Sequence, residues 1–390
     1  MEFSEISINK KIIDKLDLIG FKNMTEIQEK CLPEIINGRD VVGQAETGSG
    51  KTLAFCIPIL DKIKINKRTQ ALILTPTREL CIQVSEVFND FGNNLGVKIA
   101  SIYGGVGIEP QIDNISKSEV VVGTPGRLLD HIRRGTLDLG NIDFLVIDEI
   151  DKMFEMGFID DVEKIINKTP NNRQTLMFSA TIFNKINNLM RKHLKDPLLL
   201  STKSYVDKNK LEQIYYDIYN QKNKFSLLLH LINNNKSDLS IVFCGTRVEA
   251  ELVSKNLRQH KINASAIHGG MTQKRRIQSL NSLKDNKTDV LVATDVAARG
   301  LDIKNVTHIY HYDVPKTSTD YIHRIGRTAR AGKSGTTITL LTERDHDNFR
   351  RVQSNDDLEI KKAVYPDFKK VSFKRKKNYK KNHLRNKKSY

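Results

Sequence analysis

Cysteine is scarce in this sequence, with four residues in 390 at Cys31, Cys56, Cys81 and Cys244. They lie far apart, form no CxxC pair, and each falls in an apolar or helical context. That distribution excludes a disulfide framework, disfavours structural zinc, and predicts reduced packing residues. No apolar run approaches the roughly 18 residues that a membrane span needs. The opening Met1-Glu2-Phe3-Ser4-Glu5 lacks the basic and apolar regions of a secretory signal. These absences predict a cytoplasmic protein without a membrane partner, or a nuclear or nucleolar one in a eukaryotic source. Acidic residues are missing from the last stretch: residues 368–390 hold 11 Lys/Arg and no Asp or Glu. Formal net charge is +17, so the rest of the chain carries +6. A basic tail on a mildly basic body predicts a polyanionic partner, nucleic acid ahead of membrane.

What the chain does contain is a phosphate-binding pattern. Ala45-Glu46-Thr47-Gly48-Ser49-Gly50-Lys51-Thr52 follows Val41-Val42, which reads as a buried strand, and opens a helical stretch near Lys51. Gly48 and Gly50 carry no Cβ, so backbone N–H groups can close around phosphate oxygens. The dipole of the following helix points at the same anion. Lys51 adds a cation for the outer phosphates, and the Thr52 hydroxyl suits Mg²⁺. A Gly-rich turn by chance is the alternative, and the passage from strand through Gly-Lys-Thr to helix weighs against it. A nucleoside triphosphate with Mg²⁺ is expected.

At roughly 150 residues per domain the chain makes two or three domains. Apolar segments at 71–74, 97–102, 120–122, 144–147 and 175–178 alternate with amphipathic helices. Strands this apolar are buried on both faces, which implies a parallel sheet covered by helices, with the motifs at its carboxyl ends. A polar, punctuated stretch from Asp196 to Asn209 reads as a linker. The alternation then restarts at 241–243, 264–267, 290–293, 307–310 and 336–340, without a second Gly-Lys-Thr loop. The expected organisation is α/β: a first domain over 1–200, a linker over 201–209, a second domain over 210–352, and a basic tail over 353–390. Little fixed structure is expected beyond Pro366.

Asp148-Glu149 ends the apolar run 144–147. A strand-end Asp suits Mg²⁺, often through water, and the neighbouring Glu can orient and deprotonate an attacking water. Such pairs also occur simply as helix N-termini; a phosphate loop in the same half favours the catalytic reading. In the second half, His323-Arg324-Ile325-Gly326-Arg327-Thr328-Ala329-Arg330 places Arg327 and Arg330 on one face of a helix or turn. Planar, permanent charges suit a γ-phosphate. The lack of an acidic neighbour in that stretch argues against a merely solvated basic face. Near the N-terminus, Thr25 and Gln28 stand at N-cap and capping-box positions, and the residues alone leave Gln28 as a cap.

Together these motifs resemble those of the DEAD-box RNA helicases of superfamily 2, from about Phe3 to Leu341. Gly20-Phe21 with Thr25-Glu26-Ile27-Gln28 resembles the Q motif, with Phe3 placed like the family's isolated upstream aromatic. The resemblance implies that Gln28 reads the adenine edge and Phe21 stacks on the ring; the family usually has Pro where Met24 and Glu26 stand. Residues 45–52 resemble motif I, with Ala45 where the general pattern has Gly, and imply nucleotide contacts from Ala45, Thr47, Gly48, Ser49, Gly50, Lys51 and Thr52. Pro76-Thr77-Arg78, Gly104-Gly105 and Thr124-Pro125-Gly126-Arg127 resemble motif Ia, the double-glycine motif and motif Ib, which hold the RNA sugar-phosphate backbone. Their residue types suit that role. Asp148-Glu149-Ile150-Asp151 resembles motif II with Ile for Ala, so Ile150 must find core space. Ser179-Ala180-Thr181 resembles motif III, which implies that Ser179 and Thr181, with Asp151 and His323, couple hydrolysis to strand separation. Residues 242–244 resemble motif IV. Gln273 and Arg276 resemble an RNA-holding pair. Residues 294–302 resemble motif V, with Thr294, Arg299 and Gly300 on RNA and Asp302 on the ribose. His323–Arg330 resembles motif VI, with Arg327 and Arg330 as fingers and Ala329 where Gly is common.

The resemblance implies two RecA-like domains that close on ATP, Mg²⁺ and RNA, hydrolyse ATP on RNA binding, and locally unwind RNA duplexes or remodel ribonucleoproteins. RNA is held by its backbone with little sequence preference. Ribonucleoprotein or ribosome-assembly partners are left open. The tail interleaves Phe373, Tyr379 and Tyr390 among Lys/Arg, which reads as a non-specific RNA tether, beside the alternatives of a solubilising segment or an import signal. Two rivals are an RNA clamp with incidental turnover and a DNA-unwinding enzyme.

Overall fold

Tetrads of Val, Ile and Leu with no polar face are stable only between layers of helix, and the first half of the chain builds that arrangement. The computed structural model describes residues 1–374, except 47, 203–209, 236–237, 299–302, 304, 330–333 and 357. Seven parallel strands form the first sheet: β1 (Val41–Gln44), β2 (Ala71–Leu74), β3 (Ile99–Ile102), β4 (Val120–Gly123), β5 (Phe144–Ile147), β6 (Gln174–Ser179) and β7 (Leu198–Ser201). Their order is β3-β4-β2-β5-β6-β1-β7. Neighbouring residues point to opposite faces, so Val41 joins one apolar cluster with Phe55, Phe88 and Phe178, while Val42 joins another with Ile147, Met153 and Met177.

The second half repeats the plan in different residues. β8 (Leu211–Ile218), β9 (Leu239–Phe243), β10 (Ala264–Ile267), β11 (Val290–Ala293), β12 (Val306–His311), β13 (Gly335–Thr342) and β14 (Lys361–Lys362) form a second parallel sheet. Its order is β10-β11-β9-β12-β13-β8-β14, which is the first order with every number raised by seven. The chain divides into two units between residues 202 and 210. Two tandem RecA-like α/β units, expected from the motif pattern, are what the sheets form.

Three strands lie where the periodicity shows none. β7 is an edge strand whose side chains alternate between half-buried and exposed. β8 mixes Glu212, Gln213 and Asp217 with Leu211, Ile214 and Ile218, because its faces are only half covered. β14 adds two residues to the outer edge of β8. Beyond it the chain keeps a fixed place as far as Lys374, contrary to the expected loss of structure after Pro366. Phe368, Val371 and Phe373 pack on the second core, and Phe373 lies 5.0 Å from the Phe225 ring. The Ser226 hydroxyl donates to the Val371 carbonyl and accepts from the Val371 N–H, at 3.3 and 3.0 Å. Asn256 makes the same reciprocal pair with Lys374, at 3.2 and 2.9 Å. Two aromatics, Val371 and two reciprocal hydrogen-bonded pairs anchor a segment whose composition reads as solvated.

All four cysteines are buried thiols, and burial pushes Cys31 and Cys81 up to about 12, as packing residues require. Among the described residues no helix is long and apolar enough to cross a membrane. Phe373→Ala should lower the stability of the second unit by about 1–3 kcal/mol, below the cost of deleting a fully buried Phe. Urea unfolding of the whole chain measures this, and an unchanged midpoint would show that the 361–374 segment adds nothing.

Candidate functional site

In an open parallel sheet, loops after adjacent strands meet at the carboxyl edge. The strand order therefore sorts the motifs of the first unit into two groups. Loops after β5, β6 and β1 carry Asp148–Asp151, Ser179–Thr181 and the phosphate loop. Loops after β3, β4 and β2 carry Gly104-Gly105, Thr124–Arg127 and Pro76–Arg78.

In the first group, Gly48 and Gly50 adopt φ of 86° and 96°, open to glycine at little cost. A Cβ on Gly50 would also lie 2.5 Å from Gln28 Nε2. Gln28 serves the loop and its own helix at once. Its Oε1 accepts from the Thr25 N–H at 2.8 Å, and its Nε2 donates to the Gly50 carbonyl at 3.0 Å. The cap and the link to the phosphate loop are thus one carboxamide. Phe21 is about half exposed. Phe3 is buried, with its N–H on the Lys22 carbonyl at 3.1 Å, so the N-terminus braces the Gly20–Gln28 segment.

Lys51 opens the helix Lys51–Lys62 and is buried. Its ammonium donates to the Ala45 and Glu46 carbonyls of its own loop. Burial holds Lys51 below its ordinary range, and the Asp148, Glu149 and Asp151 carboxylates push back. Burial and the Glu149 charge push Asp148 up to about 7, against the pull of Lys51 and Lys152. Its Oδ1 is buried without a hydrogen-bond partner. Glu149 sits in the left-handed region at φ 54°, a strained position for a residue with a side chain, and pairs with buried Lys152 at 2.6 Å. Among the described residues no cluster of three or more His, Cys, Asp or Glu could hold a metal. A hard cation here would rest on Asp148 and Thr52, with phosphate oxygens completing its shell, as Mg²⁺ does. The orphaned Asp148 oxygen fits that demand.

Asp151 is buried and its Oδ2 accepts from Ala180 N–H, Thr181 N–H and the Thr181 hydroxyl, at 3.1, 3.0 and 3.1 Å. The Ser179 hydroxyl donates to the Thr181 carbonyl at 2.6 Å. The loops after β5 and β6 are therefore tied by one carboxylate. Ile150 finds its space fully buried beside Ile147 and Met153.

In the second group, Thr77 and Thr124 precede helices whose N-termini face the edge. Arg78 lies against Gly105, where a Cβ would collide with its guanidinium, so that glycine makes room for the arginine. Arg127 donates to the Val106 carbonyl at 3.2 and 3.1 Å and to Gln111 Oε1 at 3.2 Å, tying the loop after β4 to the loop after β3. Gly126 is exposed with open space around it.

The second unit repeats this edge. Thr246 caps the helix Arg247–Gln259 three residues after β9, as Thr77 caps Arg78–Gly92 three residues after β2. Gly269-Gly270 follow β10 as Gly104-Gly105 follow β3. The Thr294 N–H donates to the Ile267 carbonyl at 3.3 Å, as Thr124 does to Ile102 at 2.9 Å. Thr246, Arg247, Gly269 and Gly270 escape a motif reading but are visible in the paired strings Thr-Arg and Gly-Gly after strands. Arg276 and His323 are half-buried on the helices Gln273–Lys284 and Ser318–Ile325, and Arg327 is buried. Thr47, Arg299, Gly300, Asp302, Arg330 and the Gln273 side chain lie outside the described residues. Ala329 has φ of 52°, in the left-handed region that favours glycine.

The DEAD/DEAH box helicase family matches residues 25–189, and the helicase conserved C-terminal domain matches residues 223–332. The ATP-dependent RNA helicase CshA of Listeria monocytogenes is 44% identical over 367 residues, covering 94% of this chain and 70% of its own. The DEAD-box ATP-dependent RNA helicase CshA of Geobacillus kaustophilus is 41% identical over 354 residues, covering 90% and 76%. Among solved structures, S. cerevisiae Dbp5 bound to RNA and ADP BeF3 aligns with a TM-score of 0.84 at 28% identity, covering 93% of this chain and 95% of that one.

Two outcomes follow from the strained and buried groups. Asp148 has a folded value near 7 against an ordinary 3.8, so the folded state holds the extra proton between these limits. Its contribution to stability should fall as pH rises through that window and stay flat above it. Denaturant unfolding without nucleotide should show this slope in wild type and a weaker one in Asp148→Asn; equal slopes would contradict it. Ala329→Gly should raise stability by about 1 kcal/mol or less, measured the same way.

Proposed function

The chain belongs to the DEAD-box helicase family, and from that premise we propose how its residues share the work of an ATP-dependent RNA helicase. The enzyme hydrolyses ATP when RNA binds and uses the cycle to open RNA duplexes locally. The observation that carries the residue assignment is the buried Asp148 carboxylate, with one oxygen unpartnered, beside Lys51 at the edge shared by β5 and β1.

In this reading the 45–52 loop takes the phosphates, and Lys51 leaves the Ala45 and Glu46 carbonyls for their oxygens. Gln28 and Phe21 take the adenine. Asp148 and Thr52 would hold Mg²⁺, which when bound would supply charge neutralisation at the transferring phosphoryl group. Glu149 orients the attacking water and accepts its proton, held in its strained position by Lys152. Arg327 and Arg330 supply guanidinium charge to the transition state. Thr77, Arg78, Gly104, Gly105, Thr124 and Arg127 hold the RNA backbone on the first unit, and Gln273, Arg276, Thr294, Arg299 and Gly300 on the second. Contacts to sugar and phosphate carry little sequence information, so base preference should be weak. Asp151, through Ala180 and Thr181, carries the change at the phosphates to the loop after β6.

Glu149→Gln should lower RNA-stimulated ATP turnover by about 10²–10⁴, and Arg327→Ala by about 10³–10⁵. Steady-state phosphate release with saturating RNA checks both, and wild-type rates in either variant would sink the assignment. The basic tail is proposed to tether RNA, and the cut that tests it falls after Lys374, since an earlier one would remove Phe368 and Phe373 from the core. Deleting residues 375–390 should raise the RNA concentration for half-maximal turnover and leave the maximal rate in place. An unchanged requirement removes the tether.

A further inference from the structure

Two sheets with one strand order place equivalent residues at equivalent ends, and the phosphate site has a counterpart in the second unit. β8 stands where β1 does, and the helix that follows it, Lys224–Asn234, begins with Lys224 as Lys51–Lys62 begins with Lys51. Both lysines are buried. β12 stands where β5 does. Asp148 follows β5 and donates its N–H to the carbonyl of Leu74, the last residue of β2, at 3.0 Å. Asp313 follows β12 and donates its N–H to the carbonyl of Phe243, the last residue of β9, at 3.1 Å. β9 stands where β2 does.

The two sites differ in what fills the space between ammonium and carboxylate. In the first unit Asp148 Oδ1 meets no donor. In the second, Lys224 Nζ lies 3.2 Å from Asp313 Oδ1 and 3.4 Å from Asp345 Oδ2, over the Tyr312 ring. Arg344 adds a further contact to Asp313 Oδ1 at 3.1 Å. The connection Tyr219-Asn220-Gln221-Lys222-Asn223 contains no glycine, so it offers no phosphate cradle. The remaining capacity of Asp313 is spent on its neighbours. Its Oδ2 accepts the Gly245 N–H at 2.8 Å, and its carbonyl accepts from Arg324 Nη1 at 2.7 Å. Arg324 in turn makes a bidentate pair with Asp295, at 2.6 and 2.8 Å.

We propose that Lys224 and Asp313 are a phosphate site closed on itself, and that the pair now positions the Gly245–Arg247 turn and the Arg324–Arg327 segment. A buried ion pair contributes little net stability, so its value lies in fixing the groups bonded to it. Lys224 and Asp313 are positioning residues: one set of bonds aims the Thr246-capped helix N-terminus at the RNA edge, and another fixes the base of the segment that carries Arg327. The inference rests on the helicase reading above.

The test compares wild type, Asp313→Asn, and the double variant Lys224→Met/Asp313→Leu in the full chain. Replacing a buried pair by apolar groups of similar volume is often neutral for stability, so the double variant should unfold near the wild-type urea midpoint. Its RNA concentration for half-maximal ATP turnover should rise by about tenfold, as loss of the Asp313 carboxylate that accepts the Gly245 N–H, a hydrogen bond to a charged group, implies. Its maximal rate should change less than its RNA requirement, because the Asp313 carbonyl that holds Arg324 belongs to the backbone and survives the substitution. Its affinity for a non-hydrolysed ATP analogue without RNA, set in the first unit, stays unchanged. Asp313→Asn, whose amide oxygen can still accept the Gly245 N–H but whose NH2 faces Lys224 and Arg344, should lower the urea midpoint while changing the RNA response less. A double variant with wild-type RNA response, or one whose response falls only in step with lost stability, overturns the proposal. Wild type that shows no RNA stimulation overturns the helicase reading and this inference with it.

Discussion

Four ionisable side chains, Lys51, Asp148, Glu149 and Lys152, are buried together where β1 and β5 end. Charges taken out of water need partners, and this cluster supplies them unevenly. Glu149 has Lys152 at 2.6 Å. Lys51 borrows two carbonyls from its own loop. Asp148 keeps an oxygen with no donor and a carboxyl raised far from its usual range. In the proposed reading a polyanion with its cation would complete all of these at once: Lys51 would exchange the loop carbonyls for phosphate oxygens, and the Asp148 oxygen would gain a positive neighbour.

The strand order converts that local chemistry into communication. Because β5, β6 and β1 are adjacent, Asp151 can reach from one loop to the Thr181 hydroxyl and two N–H groups of the next. Because β2 lies between β4 and β5, the loops after β2, β3 and β4, proposed to hold RNA, share a sheet with the loops after β5, β6 and β1. A change at the phosphates is thus one strand away from Arg78 and its glycine partner. The second unit shows the same edge with the phosphate half shut: Lys224 and Asp313 meet directly. In the proposed reading one unit holds the nucleotide, and the other keeps the frame and brings Arg327.

Much of this was legible in the residues. Gly-Lys-Thr after a strand, Asp-Glu at a strand end and the apolar tetrads carry their structural meaning locally, so the parallel sheets and the phosphate loop follow from pattern. What failed to show depended on distance or on partial burial. β8 carries Glu212, Gln213 and Asp217 on half-covered faces, which blurs its period. Phe368, Val371 and Phe373 sit among lysines, and only the groove beside Phe225 and Asn256 turns them into an anchor. Gln28 reads as a cap because it is one; its second bond, to Gly50 22 residues away, is invisible to local reasoning. That Ala329 sits in the left-handed region, at φ of 52°, does not show in its neighbouring residues. The Lys224–Asp313 pair is 89 residues apart and shares no string with Lys51 and Asp148, so only the matched strand order reveals it.

The central claim is that one sheet edge joins the chemistry at the phosphates to the grip on a nucleic acid backbone. ATP turnover by the whole chain, titrated with single-stranded RNA and with DNA of the same sequence, tests it most directly. The account predicts a rate that climbs with RNA to a plateau and responds little to DNA. A rate that is the same at every RNA concentration would contradict it.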